Sequence, residues 1–186
     1  MAKSTPRSRE TARTALAGAV LAANRAAGRR IAVAESCTGG LACAALTEVP
    51  GSSDVFSAGF ITYSGDAKQR QLGVSSEILE TFGEVSLATA WAMVTGALAG
   101  SDADIAVSIT GIAGPGGGSE KKPVGLVVFA RGLRGQDPDE YFTQSVRFQG
   151  GDRAAIRHHA AMFALDLLLP ERDALRPSED IALPAD

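Results

Sequence analysis

The sequence predicts an α/β fold, a three-layer α/β/α sandwich around a mixed, mainly parallel five-stranded sheet. Three observations carry that prediction. Helix-patterned segments separate the first three apolar runs, which is how parallel strands are joined. The last two runs are linked only by the loop 132–138 and look like a hairpin, which adds an antiparallel part. The chain has 186 residues, 45% of them hydrophobic and 21% charged, enough to enclose one sizeable core. One domain is expected over 1–169, followed by a flexible tail over 170–186.

The elements follow in order. Ala12, Leu16, Ala19, Val20 and Ala23 recur at helical spacing and predict a first helix over 9–25. Gly28, Arg29 and Arg30 end it, and a strand opens at Ile31 and runs over 31–34. A small-residue helix over 41–47 stops at the turn cluster Pro50-Gly51-Ser52-Ser53. The second strand reads 56–63, and a short helix over 67–72 is stopped by Gly73. Ser75 and Ser76 suit the cap of a helix over 77–82. Ser86 starts a longer one, with Leu87, Ala90, Trp91, Val94 and Leu98 on one face. The third strand, 105–110, runs straight into the glycine-rich segment 111–118. The fourth, 124–130, has no polar side chain and reads as a central strand. In the fifth, 141–148, Phe142, Val146 and Phe148 alternate with polar residues, as in an outer strand with one wet face. Gly150, Gly151 and Asp152 cap a last helix, with Ile156, Ala160, Phe163 and Leu167 along its buried stripe.

Composition excludes several classes of function. The net charge of −3 gives no global basic field to recruit nucleic acid. No apolar stretch approaches the length needed to cross a bilayer, and the basic N-terminus leads into an Ala-rich amphipathic segment rather than a secretory core. A cytoplasmic protein with reduced thiols is expected. Cys37 and Cys43, six residues apart, match no zinc spacing, and only His158 and His159 join them, so no metal site is expected.

The chemistry centres on Ala34-Glu35-Ser36-Cys37-Thr38-Gly39-Gly40, where an apolar strand stops at hydroxyl and thiol residues before a helix. In such sheets ligands sit beyond the carboxyl ends of the parallel strands, so the loops 36–40, 63–68 and 110–118 are expected to gather at one edge. Ser36 is a candidate nucleophile; the alternative is that Ser36 and Thr38 merely cap the next helix. Cys37 is a rival nucleophile with no histidine near it in sequence. A histidine base would have to come from His158 or His159, which point about 100° apart on the last helix. Lys68 is the other candidate base and Tyr63 a candidate relay, against the reading of a solvated lysine and a half-buried strand tyrosine. Five glycines within 111–118 permit close approach to a phosphate or nucleotide, but without the order of a Walker A loop or GxGxxG followed by a helix. A flexible structural loop is the alternative. Arg153 and Arg157, four apart at the start of the last helix, are either a phosphate grip or solvated charges.

Taken together these stretches resemble the CinA C-terminal domain family, the stand-alone nicotinamide-nucleotide amidohydrolases. The resemblance rests on the 34–40 segment, Pro50-Gly51-Ser52-Ser53, Thr62-Tyr63-Ser64 with Ala67-Lys68, and Leu72-Gly73-Val74. It continues through Gly83-Glu84-Val85-Ser86, Thr110-Gly111-Ile112-Ala113-Gly114-Pro115-Gly116-Gly117 and Lys122-Pro123-Val124-Gly125, spanning about 11–169 in the right order. The family fold, a three-layer α/β/α sandwich with a mixed five-stranded sheet, agrees with the elements above. The resemblance implies hydrolysis of the carboxamide of nicotinamide mononucleotide to nicotinate mononucleotide and ammonia, within NAD salvage and the pyridine nucleotide cycle. It implies Ser36 as nucleophile, with Lys68 and Tyr63 handling protons and N–H groups near Thr38, Gly39 and Gly40 holding the oxyanion. Ribose and phosphate would lie against the loop carrying Thr110, Gly111, Gly114, Gly116 and Gly117, or against Arg153. No metal or organic cofactor is implied, and members usually form homo-oligomers.

Two departures stand out. Gly65 occupies the place where the family commonly has Asn after Tyr-Ser, and the approach to the last helix, Phe148-Gln149-Gly150-Gly151-Asp152-Arg153, is one residue longer than usual. The larger architecture of the family carries an N-terminal domain related to molybdopterin-binding proteins. With 35 residues before Ser36, that domain is expected to be absent. The alternative to an enzyme is a non-catalytic nucleotide-binding or competence-associated interaction module, which Gly65 keeps open.

Overall fold

The computed structural model describes residues 5–149 and 151–175. One sheet of five strands runs in the order β2-β1-β3-β4-β5. β1 (Ile31–Glu35) pairs in parallel with β2 (Phe56–Ile61) and with β3 (Ile105–Gly111). β4 (Leu126–Leu133) is antiparallel to β3, and β5 (Phe142–Arg147) is antiparallel to β4. Helices α1 (Pro6–Ala26), α2 (Leu41–Thr47) and α6 (Arg153–Leu167) cover one face. On the other lie α3 (Gly65–Leu72), α4 (Ser76–Phe82) and α5 (Leu87–Ala99), so the predicted sandwich is the one that forms.

Local chemistry explains where the helices begin. Thr5, Ser64, Ser75, Ser86 and Asp152 each precede a helix in extended backbone and accept a hydrogen bond from an N–H three residues on, meeting a donor the helix cannot satisfy itself. All five residues of β1 are buried, because it lies between β2 and β3 with helices on both faces. Val33, Val107 and Phe129 face α1 and α6; Ala32, Ala34 and Ala106 face α5. The alanines let α5 lie low on the sheet, and Ser108 Oγ donates to its Ala90 carbonyl at 2.6 Å.

Four details differ from the sequence expectation. The central strand is β3; β4 lies beside it and starts two residues later, after Gly125 turns at φ 91° to donate its N–H to Ile112 O. β4 also runs on through Arg131, which is buried. Leu87, placed on the buried face of α5, is exposed at its first turn. The tail does not begin at Pro170. Residues 170–172 form a 3-10 turn, and Asp173 pairs with both Arg131 and Arg29. Burial pulls the Arg131 guanidinium down to about 10, so it keeps its charge at neutral pH and needs that carboxylate. The part of the expected tail beyond 175, and Gly150, lie outside the described residues. Among the described residues no helix is long and apolar enough to cross a membrane.

Gly96 sets the distance between α5 and α3. A Cβ there would stand 2.0 Å from the Leu72 carbonyl oxygen, whereas one at Gly18 in α1 meets nothing within 4 Å. Gly96→Ala is expected to cost about 2–3 kcal/mol through overpacking against rigid backbone. Gly18→Ala is expected to stabilise by roughly 0.5–1 kcal/mol through helix propensity. Urea denaturation of both variants tests the contrast; equal stabilities would mean that the α3–α5 approach is soft.

Candidate active site

The register of the parallel strands assembles the site. Glu35 lies beside Ile61 on one side and Ile109 on the other, so the three chains leave the sheet together. Ser36 N–H donates to Ile109 O at 2.9 Å and Thr62 N–H to Glu35 O at 2.8 Å, extending the ladder one step past the strands. A cleft of about 230 Å³ opens there. Ser36, Tyr63, Thr110, Gly111, Gly114, Gly116, Gly117 and Arg153 line it, along with Cys37, Glu84 and Val85. The three loops expected to meet do so.

The turn after β1 is capped by Glu35. Gly40 is the N-cap residue of α2, with φ 92° and no side-chain cap. The buried Glu35 carboxylate fills that role, accepting from Gly40 N at 2.9 Å and Cys43 N at 2.8 Å, where the helix dipole favours negative charge. Neither Ser36 nor Thr38 caps α2. The Ser36 hydroxyl therefore stays available at the cleft wall.

Behind that wall lies Lys68, fully buried. On α3, Lys68 and Leu72 face inward one turn apart, while Asp66 and Arg70 pair outside. The Lys68 Nζ lies 3.2 Å from each of Ser36 Oγ, Thr62 O and Glu84 Oε2. It is not the solvated helix lysine that a bland reading allowed.

Other expected residues sit differently. Tyr63 is 61% exposed and lines the cleft, and its hydroxyl accepts from Arg153 at 2.9 Å. Of the turn N–H groups expected to face an oxyanion, Gly39 N donates to Ser36 O and Gly40 N to Glu35. Thr38, Gly39 and Gly40 thus hold the turn together and lie outside the cleft lining. Both Arg153 and Arg157 donate to backbone, the exposed Arg153 to Gly114 O and the half-buried Arg157 to Thr38 O, each at 2.6 Å. Thr38 Oγ1 and Arg157 Nε are buried without a partner among the described residues. His158 lies against Arg13 of α1 and His159 stacks on Phe148, so neither reaches the cleft. Burial, reinforced by Glu35, pushes the Cys37 thiol up to about 12, which keeps it protonated and a poor nucleophile. Among the described residues no group of three or more His, Cys, Asp or Glu is placed to hold a metal.

Sequence reasoning gave no role to Glu35 or Glu84. An acidic residue ending an apolar strand just before a helix was a signal for the first. For Glu84 the sequence carries no comparable signal, since its partner is 16 residues away across two helices.

The family model described as the CinA C-terminal domain matches residues 13–171. The chain is 48% identical to a nicotinamide-nucleotide amidohydrolase PncC of Enterobacter agglomerans, over 81% of this chain and 89% of that protein. It is 51% identical to a CinA-like protein of Syntrophobacter fumaroxidans over 77% of this chain, but only 33% of that protein. This chain spans about a third of the length of several such relatives. Among solved structures, the competence/damage inducible protein CihA of Agrobacterium tumefaciens superposes with a TM-score of 0.80 at 46% identity, over 84% of this chain and 93% of that one. A CinA superfamily protein of Klebsiella pneumoniae gives 0.78 at 40% identity, over 84% and 94%.

The Glu35 carboxylate holds the turn by two charge-assisted bonds, so Glu35→Gln, which keeps one acceptor and sets an NH₂ against an N–H, is expected to cost about 2 kcal/mol. Urea unfolding measures it. An unchanged midpoint would show that the Ser36–Gly40 turn holds its shape unaided.

Proposed function

The chain belongs to the CinA C-terminal domain family, and from that premise we propose that it is an amidohydrolase. In this proposal it hydrolyses the carboxamide of nicotinamide mononucleotide to nicotinate mononucleotide and ammonia, with Ser36 as nucleophile. The observation that carries the reading is the 3.2 Å contact between Ser36 Oγ, on the cleft wall, and the buried amine of Lys68. The name of the Enterobacter agglomerans relative supports the substrate.

The three acceptors around Lys68 suit both of its protonation states. As an ammonium it donates to all three. As a neutral amine it has two N–H groups for Thr62 O and Glu84, which leaves its lone pair facing the Ser36 hydroxyl. The amine takes the hydroxyl proton as Ser36 Oγ bonds to the carboxamide carbon, and the carbonyl π electrons move to oxygen. With Gly39 and Gly40 engaged, the N–H of Cys37, which lines the cleft beside Ser36, is the turn donor left to receive that oxyanion. Collapse breaks the carbon–nitrogen bond as the Lys68 ammonium returns its proton to the leaving nitrogen, and ammonia departs. Water, deprotonated by Lys68, adds to the ester; the second collapse releases the carboxylic acid, which loses its proton to solvent, and the Lys68 ammonium returns its proton to Ser36 Oγ.

The pyridinium end of the substrate would sit at Ser36 and the phosphate against the loop 111–117 and Arg153. Tyr63, which accepts from Arg153 yet keeps its own proton to donate, would pass protons at the mouth. The reading carries with it a cytoplasmic homo-oligomer serving NAD salvage.

Ser36→Ala is expected to remove ammonia release from nicotinamide mononucleotide, with the melting temperature unchanged. Lys68→Met is expected to lower kcat by about 10³-fold. Ammonia assay, with mass spectrometry following amide to acid, checks both; a fully active Ser36→Ala would sink the serine mechanism. Activity of the wild type is expected to fall toward acid pH as the base is held protonated, and a flat acid limb with chemistry rate-limiting would argue against a neutral lysine.

A further inference from the structure

Glu84 stands out because its backbone is fixed while its carboxylate is turned toward the site. Four side-chain hydrogen bonds hold the segment 82–86. Thr110 Oγ1 donates to Glu84 O at 2.7 Å, and Thr89 Oγ1 and Ser86 Oγ donate to Gly83 O at 2.7 and 3.2 Å. Lys122 Nζ, reaching across from the glycine-rich loop, donates to Phe82 O at 2.6 Å. From that frame the carboxylate, 52% exposed, lines the cleft and places Oε2 3.2 Å from Lys68 Nζ.

Its other oxygen rests against Gly65. A Cβ at Gly65 would meet Glu84 Oε1 at 3.3 Å, Leu79 Cδ1 at 3.5 Å and Glu84 Cδ at 3.6 Å. Gly65 is not among the glycines with positive φ; it opens α3 directly after the Ser64 cap. Backbone conformation therefore does not require glycine at 65. A methyl group there would make the Glu84 carboxylate give way by a few tenths of an ångström.

We propose that Glu84 is a positioning residue for Lys68, and that Gly65 is the seat that lets its carboxylate reach the amine. The two positions act as one pair. The proposal deepens the amidohydrolase reading and rests on it for the step that Lys68 performs. A carboxylate at hydrogen-bond distance fixes the direction of the amine and sets a negative charge beside it. The pair thereby sets the aim of the amine at Ser36.

Among the described residues no other formal charge lies within hydrogen-bond distance of Lys68 Nζ. On its own helix Asp66 and Arg70 pair outside, and Glu77 and Glu80 of α4 are exposed. Neither β2 nor α5 carries a titratable side chain. From β1 and its turn come Glu35, engaged with the α2 N–H groups, and the protonated Cys37 thiol. Tyr63 and Arg153 bind each other at the rim.

The test compares wild type, Glu84→Gln, Gly65→Ala and the double variant. In ammonia release from nicotinamide mononucleotide, Glu84→Gln is expected to move the acid limb of kcat/KM about one pH unit lower. It is also expected to reduce kcat about tenfold with KM little changed, since the amine loses its aim. Gly65→Ala, which adds a methyl group at a helix start and leaves folding intact, is expected to move the limb the same way by pushing the carboxylate off the amine. In the double variant Gly65→Ala is expected to add nothing further. An acid limb that stays in place in Glu84→Gln, or two shifts that add, would overturn the pair.

A second readout does not depend on the substrate. The chain has lysines only at Lys3, Lys68, Lys121 and Lys122, so 13C labelling at Cε gives few signals, and Lys68→Met assigns the one of interest. Its pH titration is expected to shift in Glu84→Gln and Gly65→Ala as the acid limb does. If that shift occurs while even wild type releases no ammonia, the pair stands and the substrate reading falls. If the Lys68 signal titrates alike in all four proteins, the pair is overturned whatever the activity.

Discussion

Lys68 Nζ is buried away from water, and a buried amine has to be met by acceptors from the protein itself. Much of the architecture around the cleft answers that demand. The acceptors come from three separate segments: Ser36 from the turn after β1, the Thr62 carbonyl from the exit of β2, and Glu84 from the loop between α4 and α5. Each is held by something else. Ser36 N–H is tied to β3, Thr62 N–H to β1, and the Glu84 backbone to Thr110 at the end of β3. Moving any of them exposes an ammonium or leaves an amine unsatisfied, so the amine fixes the relative positions of the strand ends.

The same logic explains why Ser36 has a free hydroxyl. A turn leading into a helix presents N–H donors that have to be satisfied, and the nearest hydroxyls are the usual source. Here Glu35 reaches forward from the last position of β1 and takes two of those N–H groups. Capping is thus assigned to a residue facing away from the cleft, and the serine is released from it. Arg157 completes the arrangement by donating to Thr38 O from the opposite helix.

Much of the fold was legible because its signals are local. Ser75, Ser86 and Asp152 announce their helices, and the wet and dry alternation of β5 marks an edge strand. The gathering of three loops followed from the parallel topology, and the choice of Ser36, Lys68 and the glycine-rich loop as candidates from motif and resemblance. What was not legible depends on partners far apart in sequence. Arg131 looks like the end of an apolar strand until Asp173 arrives from 42 residues away, and that pairing also fixes a segment whose composition reads as loose tail. Glu84 and Gly65 have the same character. Neither means anything alone, and only the packing of α3 against the 83–86 segment brings them together.

Tyr63 and Arg153 show how the depth of the cleft separates its tasks. Just past the end of β2, the Thr62 carbonyl accepts from the buried amine while the Tyr63 ring stands out at the rim, 61% exposed. There it meets Arg153, which also grips the Gly114 carbonyl and so anchors the glycine-rich loop to α6. The Glu84 carboxylate and the Arg153 guanidinium both line the cleft, which thus carries one charge of each sign. A substrate with a cationic ring at one end and a phosphate at the other would find complementary charge at both ends. A neutral amide of the same length would meet the same nucleophile without that guidance. In the proposed reading, discrimination in favour of a pyridinium nucleotide would rest on these two charges rather than on the reacting carbon.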